Sequence, residues 1–178
     1  MDNELASADA RPQTVASSFS DFYRAEYRSV ARLAYVLTGD HHAAEDLAQE
    51  AFVTAQKNWP KVCSYEAPEA WLRRVLVNRA RSRFRRLGRE RGAMNRVRSN
   101  ERGDPPPGLE PEAIDLWREV RNLPRRQAQA IALTYLDGLK TAEVGEIIGC
   151  SAATVKTHLQ RGKRTLAQRL GDEGRVQS

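Results

Sequence analysis

The chain has 178 residues, a hydrophobic content of 40% and a formal net charge of +6, which allow one ordinary domain or two small ones. Neither Cys63 nor Cys150 lies in a CxxC motif and only three histidines occur, so no zinc site or disulfide framework is indicated. The N-terminus lacks the apolar core of a signal peptide, and no apolar run reaches membrane-spanning length. We expect a cytoplasmic protein without membrane insertion, metal or cofactor, with small buried thiols in a reducing compartment.

The basic charge is concentrated in one segment. Residues 1–72 carry 6 basic and 11 acidic side chains, residues 73–102 carry 12 arginines and two glutamates, and residues 103–178 carry 11 basic and 10 acidic side chains. A positive stripe beside an acidic segment indicates one surface for a polyanion and another for a protein. The simpler alternative is a solvated basic face.

The first third of the chain predicts a tail followed by two helices. Residues 1–18 contain little to bury and are expected to be disordered. Helical spacing of apolar residues then predicts a core helix from Ser20, as N-cap, to Gly39. Asp40 is expected to cap a second helix over residues 41–57, with a small apolar face opposite a polar one.

The polar face of this second helix is a candidate docking surface. It carries Asp46, Gln49 and Glu50, with Val53 in its middle. An apolar residue among carboxylates is compatible with protein docking, although single exposed apolar residues are common. Acid–base or metal chemistry at the carboxylates Asp46 and Glu50 is disfavoured, because no histidine, lysine or third carboxylate is expected to converge on them.

Residues 71–86 form the most basic helix of the chain. An apolar stripe lies opposite a polar stripe that can meet phosphates, made of Arg74, Asn78, Arg81 and Arg85. Arg79 and Arg83 fall among the apolar residues, so they need acidic partners or a path to solvent. Three aromatic residues precede or begin this helix: Trp59, Tyr65 and Trp71. Aromatic rings beside arginines are typical of proteins that bind single-stranded nucleic acid. The alternative is that the tryptophans are anchors of the hydrophobic core.

Residues 88–111, rich in Gly, Arg and Pro, predict a flexible linker. Helices are then expected over 112–122 and from Leu123-Pro124 to Asp137. A short helix from Thr141 to Gly149, a tight connection and a longer helix over 153–169 form a helix-turn-helix pattern, followed by a tail at 171–178.

The longer helix of this pattern has apolar residues inward, up to Leu170, and polar donors outward. Donors at this spacing suit base edges and phosphates, whereas the simpler interpretation is a solvated face. Gly162 in mid-helix costs ~1 kcal/mol relative to Ala, which predicts a less rigid helix.

These motifs together resemble the extracytoplasmic-function type of bacterial RNA polymerase sigma factor, in the sigma-70 family, with an actinobacterial origin as the expectation. Residues 40–52 (DHHAAEDLAQEAF) and 70–80 (AWLRRVLVNRA) look like sigma region 2, and residues 123–127, 135–139 and 142–159 look like region 4. The resemblance implies an all-α fold with two small helical domains. These are a region 2 bundle over 19–87 and a region 4 helix-turn-helix over 112–170, joined by the linker.

The resemblance also implies three sets of contacts. The β′ clamp helices of core polymerase would be bound by Asp46, Leu47, Gln49, Glu50 and Val53. Unstacked non-template bases of the minus-ten element would be bound by Trp71, Arg74, Asn78, Arg81 and Arg85. The minus-thirty-five duplex would be read by Thr154, Lys156, Thr157, Gln160, Arg161 and Arg164. The β flap and an anti-sigma factor are the other implied partners.

The leading hypothesis is therefore a promoter-specificity subunit and not an enzyme. The alternative is a stand-alone helix-turn-helix regulator whose first domain senses a signal or dimerises. A nuclease is disfavoured because no carboxylate–histidine or metal cluster is evident. Typical members of the family have Ala where Gly145 and Gly162 stand and Gly where Ala153 stands, departures that bear on the promoter sequence and not on the class.

Overall fold

The computed structural model describes the backbone of residues 18–90 and 111–176, and the side chains of residues 18–85 and 113–170. The predicted N-terminal tail before Ser18 and the central linker residues 91–110 lie outside these ranges. Within the described ranges all regular structure is helical, which confirms the predicted fold class.

The first unit consists, in its described part, of four helices: α1 Phe19–Thr38, α2 His41–Lys57, α3 Trp59–Val62 and α4 Pro68–Glu90. The N-cap of α1 is Ser18, whose side chain accepts the backbone N–H of Asp21, so the prediction of Ser20 was wrong by two residues. Gly39 ends α1 with φ 74°, and Asp40 caps α2 by accepting the N–H of Ala43 at 2.8 Å. Both were predicted.

The core of the first unit forms where the small face of α2 meets α1 and α4. Every residue of that predicted apolar face is buried: Ala44, Leu47, Ala48, Ala51, Phe52 and Ala55. Alanines let the helices approach closely, and Phe52 fills the end of the interface against the ring of Phe22. Trp59 also packs there, with its ring centroid 5.0 Å from Phe22. Trp59 is therefore a core anchor in this structure.

The second unit follows at Pro111. It contains α5 Pro111–Arg121, α6 Arg125–Ile131 continued by a π-helical turn Ala132–Leu136, α7 Thr141–Ile148 and α8 Ala152–Val176. Helix α4 extends beyond the predicted 71–86 at both ends, whereas α5 has the predicted length but begins and ends one residue earlier than the predicted 112–122. The predicted tail from residue 171 was also wrong, because α8 continues to Val176.

Two further details of the second unit differ from expectation. The N-cap of α7 is Lys140 and not Thr141, and its backbone N–H donates to Glu143 Oε2 at 2.7 Å. Leu170, expected to face inward, is exposed. The remaining inward residues of α8 are buried or half-buried, and Val155 and Leu166 pack in the core. The amphipathic pattern of α8 is thus correct except at its end.

The two mid-helix glycines of the second unit lie at close approaches. A Cβ on Gly162 would be 2.6 Å from Cδ1 of Ile131, where α8 crosses α6, and a Cβ on Gly145 would be 2.6 Å from the carbonyl oxygen of Cys150. Gly162 therefore permits tight packing between α8 and α6. The sequence had predicted only a less rigid helix at this position, and not this contact.

We predict that Gly145→Ala lowers the free energy of unfolding by about 1–3 kcal/mol, the usual cost of overpacking, because the obstructing atom belongs to the backbone. Gly162→Ala should cost less, since the end of the Ile131 side chain can rotate away. Urea denaturation of both variants measures the difference. A larger loss for Gly162→Ala would contradict the packing described.

The two units pack against each other. Helix α7 contacts α4, while α5 and the π-helical turn contact α1. Buried residues of both units belong to one continuous hydrophobic cluster. Within the described ranges, the two units therefore form one packed body, in which the second unit contacts the first through α5, α7 and the π-helical turn.

Candidate functional site

The polar side of α2, here called the acidic face, presents Asp46, Gln49, Glu50 and Val53 to solvent. The Asp46 and Glu50 side chains are 63% and 53% exposed, and Val53 is 47% exposed. Leu47 is only 1% exposed and packs in the core. Of the five residues predicted to bind polymerase, four form one accessible surface and Leu47 supports it from beneath.

Two arginines of α4 hold the acidic face in place. Arg79 Nη1 donates to Glu50 Oε2 at 2.8 Å and its Nη2 donates to Thr54. Arg83 lies 3.6 Å from Asp46. These are the arginines that the helical wheel placed among apolar residues, and the structure gives both an acidic partner on the neighbouring helix. The exposed carboxylates are fixed in direction without being covered.

The opposite side of α4, here called the arginine face, is exposed to solvent. Arg74, Asn78, Arg81 and Arg85 are all exposed, as predicted. Trp71 is half-buried at the start of α4, with its ring 6.3 Å from that of Tyr65. One helix therefore presents cations, an amide and a nearby aromatic pair, the groups that an unstacked strand requires.

The third surface is the outward face of α8. Its exposed residues are Thr154, Lys156, Thr157, Gln160, Arg161 and Arg164. Ser151 caps the helix by accepting the N–H of Thr154 at 3.1 Å. Arg126 of α6 donates to the carbonyl of Ile148 at the end of α7. These hydrogen bonds connect the turn with both helices of the motif, and all six predicted residues lie on the exposed side of α8, here called the α8 face.

Sequence reasoning missed Arg73, which is only 5% exposed. Its guanidinium donates to Asp137 Oδ2 at 2.8 Å, Glu26 Oε2 at 2.8 Å and Ser29 Oγ at 2.9 Å. Burial by itself would lower the pKa of Arg73, but the carboxylates of Asp137 and Glu26 outweigh burial and raise it. Glu26 and Ser29 belong to the first unit and Asp137 to the second, so this cluster joins the units.

The thiols and histidines form no site in the described part of the chain. Cys63 is exposed, which makes the expectation of a buried side chain wrong there, and Cys150 is half-buried; both are free. Among the described residues, no group of three or more His, Cys, Asp or Glu could hold a metal ion. None of the described helices has the length and apolarity needed to cross a membrane.

Two family models match the chain in the order in which the surfaces occur. One describes sigma-70 region 2 and matches residues 22–90, which span the acidic and arginine faces. The other describes sigma-70 region 4 and matches residues 113–166, which include the α8 face. The chain belongs to the sigma-70 family. Proteins of this family are regulatory subunits, and this sigma factor contains region 2 followed by region 4.

Individual relatives indicate the extracytoplasmic-function (ECF) group of this family. This sigma factor is 31% identical over 168 residues to the ECF RNA polymerase sigma factor SigE of Mycolicibacterium smegmatis, a match that covers 89% of this chain and 63% of SigE. It is 29% identical over 171 residues to SigW of Bacillus subtilis, with 87% and 90% covered. Because such different organisms are represented, an actinobacterial origin stays a prediction.

Solved structures of sigma factors share the fold. The sigma factor RpoE of Bartonella quintana, solved with the anti-sigma factor NepR, aligns with TM-score 0.68 at 25% identity, covering 85% of this chain and 98% of that one. CnrH, solved with the cytosolic domain of CnrY, aligns with TM-score 0.62 at 20% identity, which supports the fold alone.

Proposed function

We propose that this sigma factor brings core RNA polymerase to its promoters by using the three surfaces together. The acidic face of α2 binds the β′ clamp helices, the arginine face of α4 captures unstacked non-template bases, and α8 reads the minus-thirty-five duplex. Catalysis belongs to the core enzyme, so the chain itself acts as a binding subunit in the cytoplasm. The observation that carries the proposal is the presence of both sigma regions with all three surfaces accessible.

Free energy for strand opening would come from trapping bases. Each base stacked on an aromatic ring contributes roughly 1–3 kcal/mol, and arginines along the backbone add a salt-dependent term. Tyr65 and Trp71 lie beside the arginine face, and their partly accessible rings suit this role. No separate energy source is needed when several bases are held at once.

Reconstituted transcription tests the proposal. Core polymerase with this chain should initiate on a cognate promoter selected from genomic fragments, whereas core polymerase alone should not. Binding to duplex operators without any association with core polymerase would instead support the stand-alone regulator. A protein inhibitor is a further proposed partner, since the similar RpoE was solved with an anti-sigma factor, and co-purification from a native extract would identify it.

Two substitutions on α8 should have different consequences. Lys156→Ala should weaken binding to all sequences and reduce the slope of log K against log salt by about one, as expected of a phosphate contact. Gln160→Ala should cost about 1–3 kcal/mol on the cognate site and relax the preference at one base pair. Titrations of cognate and mutated duplexes at several salt concentrations separate the two effects. Identical profiles for the two variants would contradict the assignment.

A further inference from the structure

A cavity of about 290 Å³ lies among α1, α4, α5 and α6. Most of its lining is apolar, and the apolar side chains include Val36, Leu37, Ala80 and Phe84. An engineered apolar cavity of about 150 Å³ holds one benzene molecule, so this cavity has room for two fused rings or a chain of similar size. None of the three surfaces described above includes it.

One polar side chain is buried in the wall of the cavity. Gln129 of α6 lines the cavity and is only 5% exposed. Within the described part of the chain its side-chain amide has no hydrogen-bond partner. A buried amide in a folded protein normally has such a partner, because leaving it without one lowers stability. The Gln129 amide is therefore available to a ligand inside the cavity.

The charged side chains that line the cavity are both arginines, and no carboxylate of the described residues lines it. Arg121 lies over the ring of Tyr35, 5.7 Å from its centroid. The Arg125 guanidinium lies 5.1 Å from the Phe84 ring centroid and forms no ion pair with a described residue. Arg125 is exposed, so it places a cation without an acidic partner at the edge of the cavity.

Further arginines surround Arg125. The pKa of Arg125 is lowered by burial and by the nearby charges of Arg81, Arg85 and Arg126. Repulsion among these four cations is unfavourable, and a negative charge beside Arg125 would reduce it. The lining thus matches a ligand with an apolar body and an anionic group, since the body fits the interior and the anion fits the edge.

We propose that this cavity is a binding site for a small organic acid, whose apolar body lies beside Phe84 and Ala128 and whose carboxylate pairs with Arg125. The Gln129 amide supplies a hydrogen bond to the same carboxylate. Here this arrangement is called the cavity site. It is a property of the free chain and does not depend on the proposed function.

Isothermal titration calorimetry on the full chain tests the cavity site. One probe is 2-naphthoate, which carries two fused rings, and the other is decanoate, which carries a chain. At least one should bind saturably to one site per chain, and the stronger of the two distinguishes an aromatic acid from a fatty acid. The matching neutral amide should bind about 10–100-fold more weakly, because it cannot form a charge-assisted pair with Arg125. Saturable binding of neither probe, or equal binding of acid and amide, would overturn the site.

Two substitutions test the assigned contacts. Arg125→Gln should reduce the affinity for the acid to that for the amide. Gln129→Leu should weaken acid binding about tenfold without lowering the thermal midpoint of the free protein, because no hydrogen bond between described residues is lost. A lower midpoint with unchanged affinity would overturn the role of the amide. Arg24→Gln is the matched control, since Arg24 is an exposed arginine of α1 outside the cavity, and an equal loss there would overturn the pairing with Arg125.

Nuclear magnetic resonance locates the probe without any substitution. Nuclear Overhauser effects should connect the bound probe with the methyl groups of Ala80 and Ala128, which both line the cavity. Contacts with other methyl groups alone would overturn the site. This measurement decides the location even if one of the variants fails to fold.

Occupancy of the cavity site should also affect the arginine face, a consequence that does rest on the proposed function. Because the charges of Arg81 and Arg85 reach Arg125, a bound carboxylate reduces the positive field that attracts a DNA strand. The bound probe should weaken binding of a single-stranded oligonucleotide to the parent and not to Arg125→Gln, as measured by fluorescence anisotropy. Unchanged oligonucleotide affinity would overturn this consequence alone. No oligonucleotide binding by either protein would refute base capture by the arginine face, whereas the calorimetry decides the cavity site separately.

Discussion

Replacing Asp46 and Glu50 together with lysine is expected to abolish association with core polymerase while leaving the affinity of α8 for duplex DNA unchanged. Both carboxylates are more than half exposed on the acidic face, and juxtaposing like charges across an interface costs several kcal/mol. The loss should reach at least ~100-fold in affinity. Quantitative pull-down on immobilised core polymerase and duplex titration measure the two affinities.

The reversed lysines would also meet Arg79 and Arg83, which now pair with the two carboxylates. Exposed pairs of this kind are worth only about 0–1 kcal/mol each, so the fold should survive, and thermal melting verifies it. Val53→Asp avoids this side effect because Val53 has no ion pair, and Leu116→Asp is its matched control on the second unit, where the parent side chain is 40% exposed. Full polymerase binding by the double variant, or an equal loss in Leu116→Asp, would contradict the docking surface.

Most of the acidic face could be predicted because its signal is local. The helical period of α2 places six small or apolar residues on one face and the carboxylates on the other. The helix begins after Asp40, whose side chain accepts a hydrogen bond from Ala43, only three residues away in sequence. The same period placed Val53 on the exposed side, where the structure has it. Helix ends were less predictable, since Ser18 and Ser20 are both favoured N-cap residues by type. The structure uses Ser18, which places Phe19 inside the helix, where its ring packs against Trp59.

The partners of the α4 arginines could not be predicted because they depend on another helix. A wheel shows that Arg79 and Arg83 face an apolar neighbour, but it does not show that Glu50 and Asp46 lie opposite. Arg73 was harder still, because its partner Asp137 is 64 residues away and belongs to the other unit. Local periodicity therefore identifies surfaces, whereas the contact that joins the units requires the three-dimensional arrangement.

Asn78→Ala is expected to reduce promoter opening roughly tenfold more than it reduces formation of the closed complex. Asn78 lies on the arginine face between exposed arginines, and its amide can donate to and accept from the edge of an unpaired base. Loss of such hydrogen bonds costs about 0.5–1.5 kcal/mol each, and the cost arises only after the base has left the duplex. Permanganate reactivity of unpaired thymines measures opening, and mobility shift at low temperature measures the closed complex.

Asn122→Ala provides the matched control, since Asn122 is an exposed asparagine beyond the end of α5, hydrogen-bonded locally to Glu119 at 3.2 Å. It should change neither step. Arg74→Ala should differ from both variants, because a cation that tracks the backbone contributes before and after the strands separate. The three substitutions together therefore distinguish base capture from general attraction to DNA, and an equal effect of Asn78→Ala on both steps would refute the base-capture role.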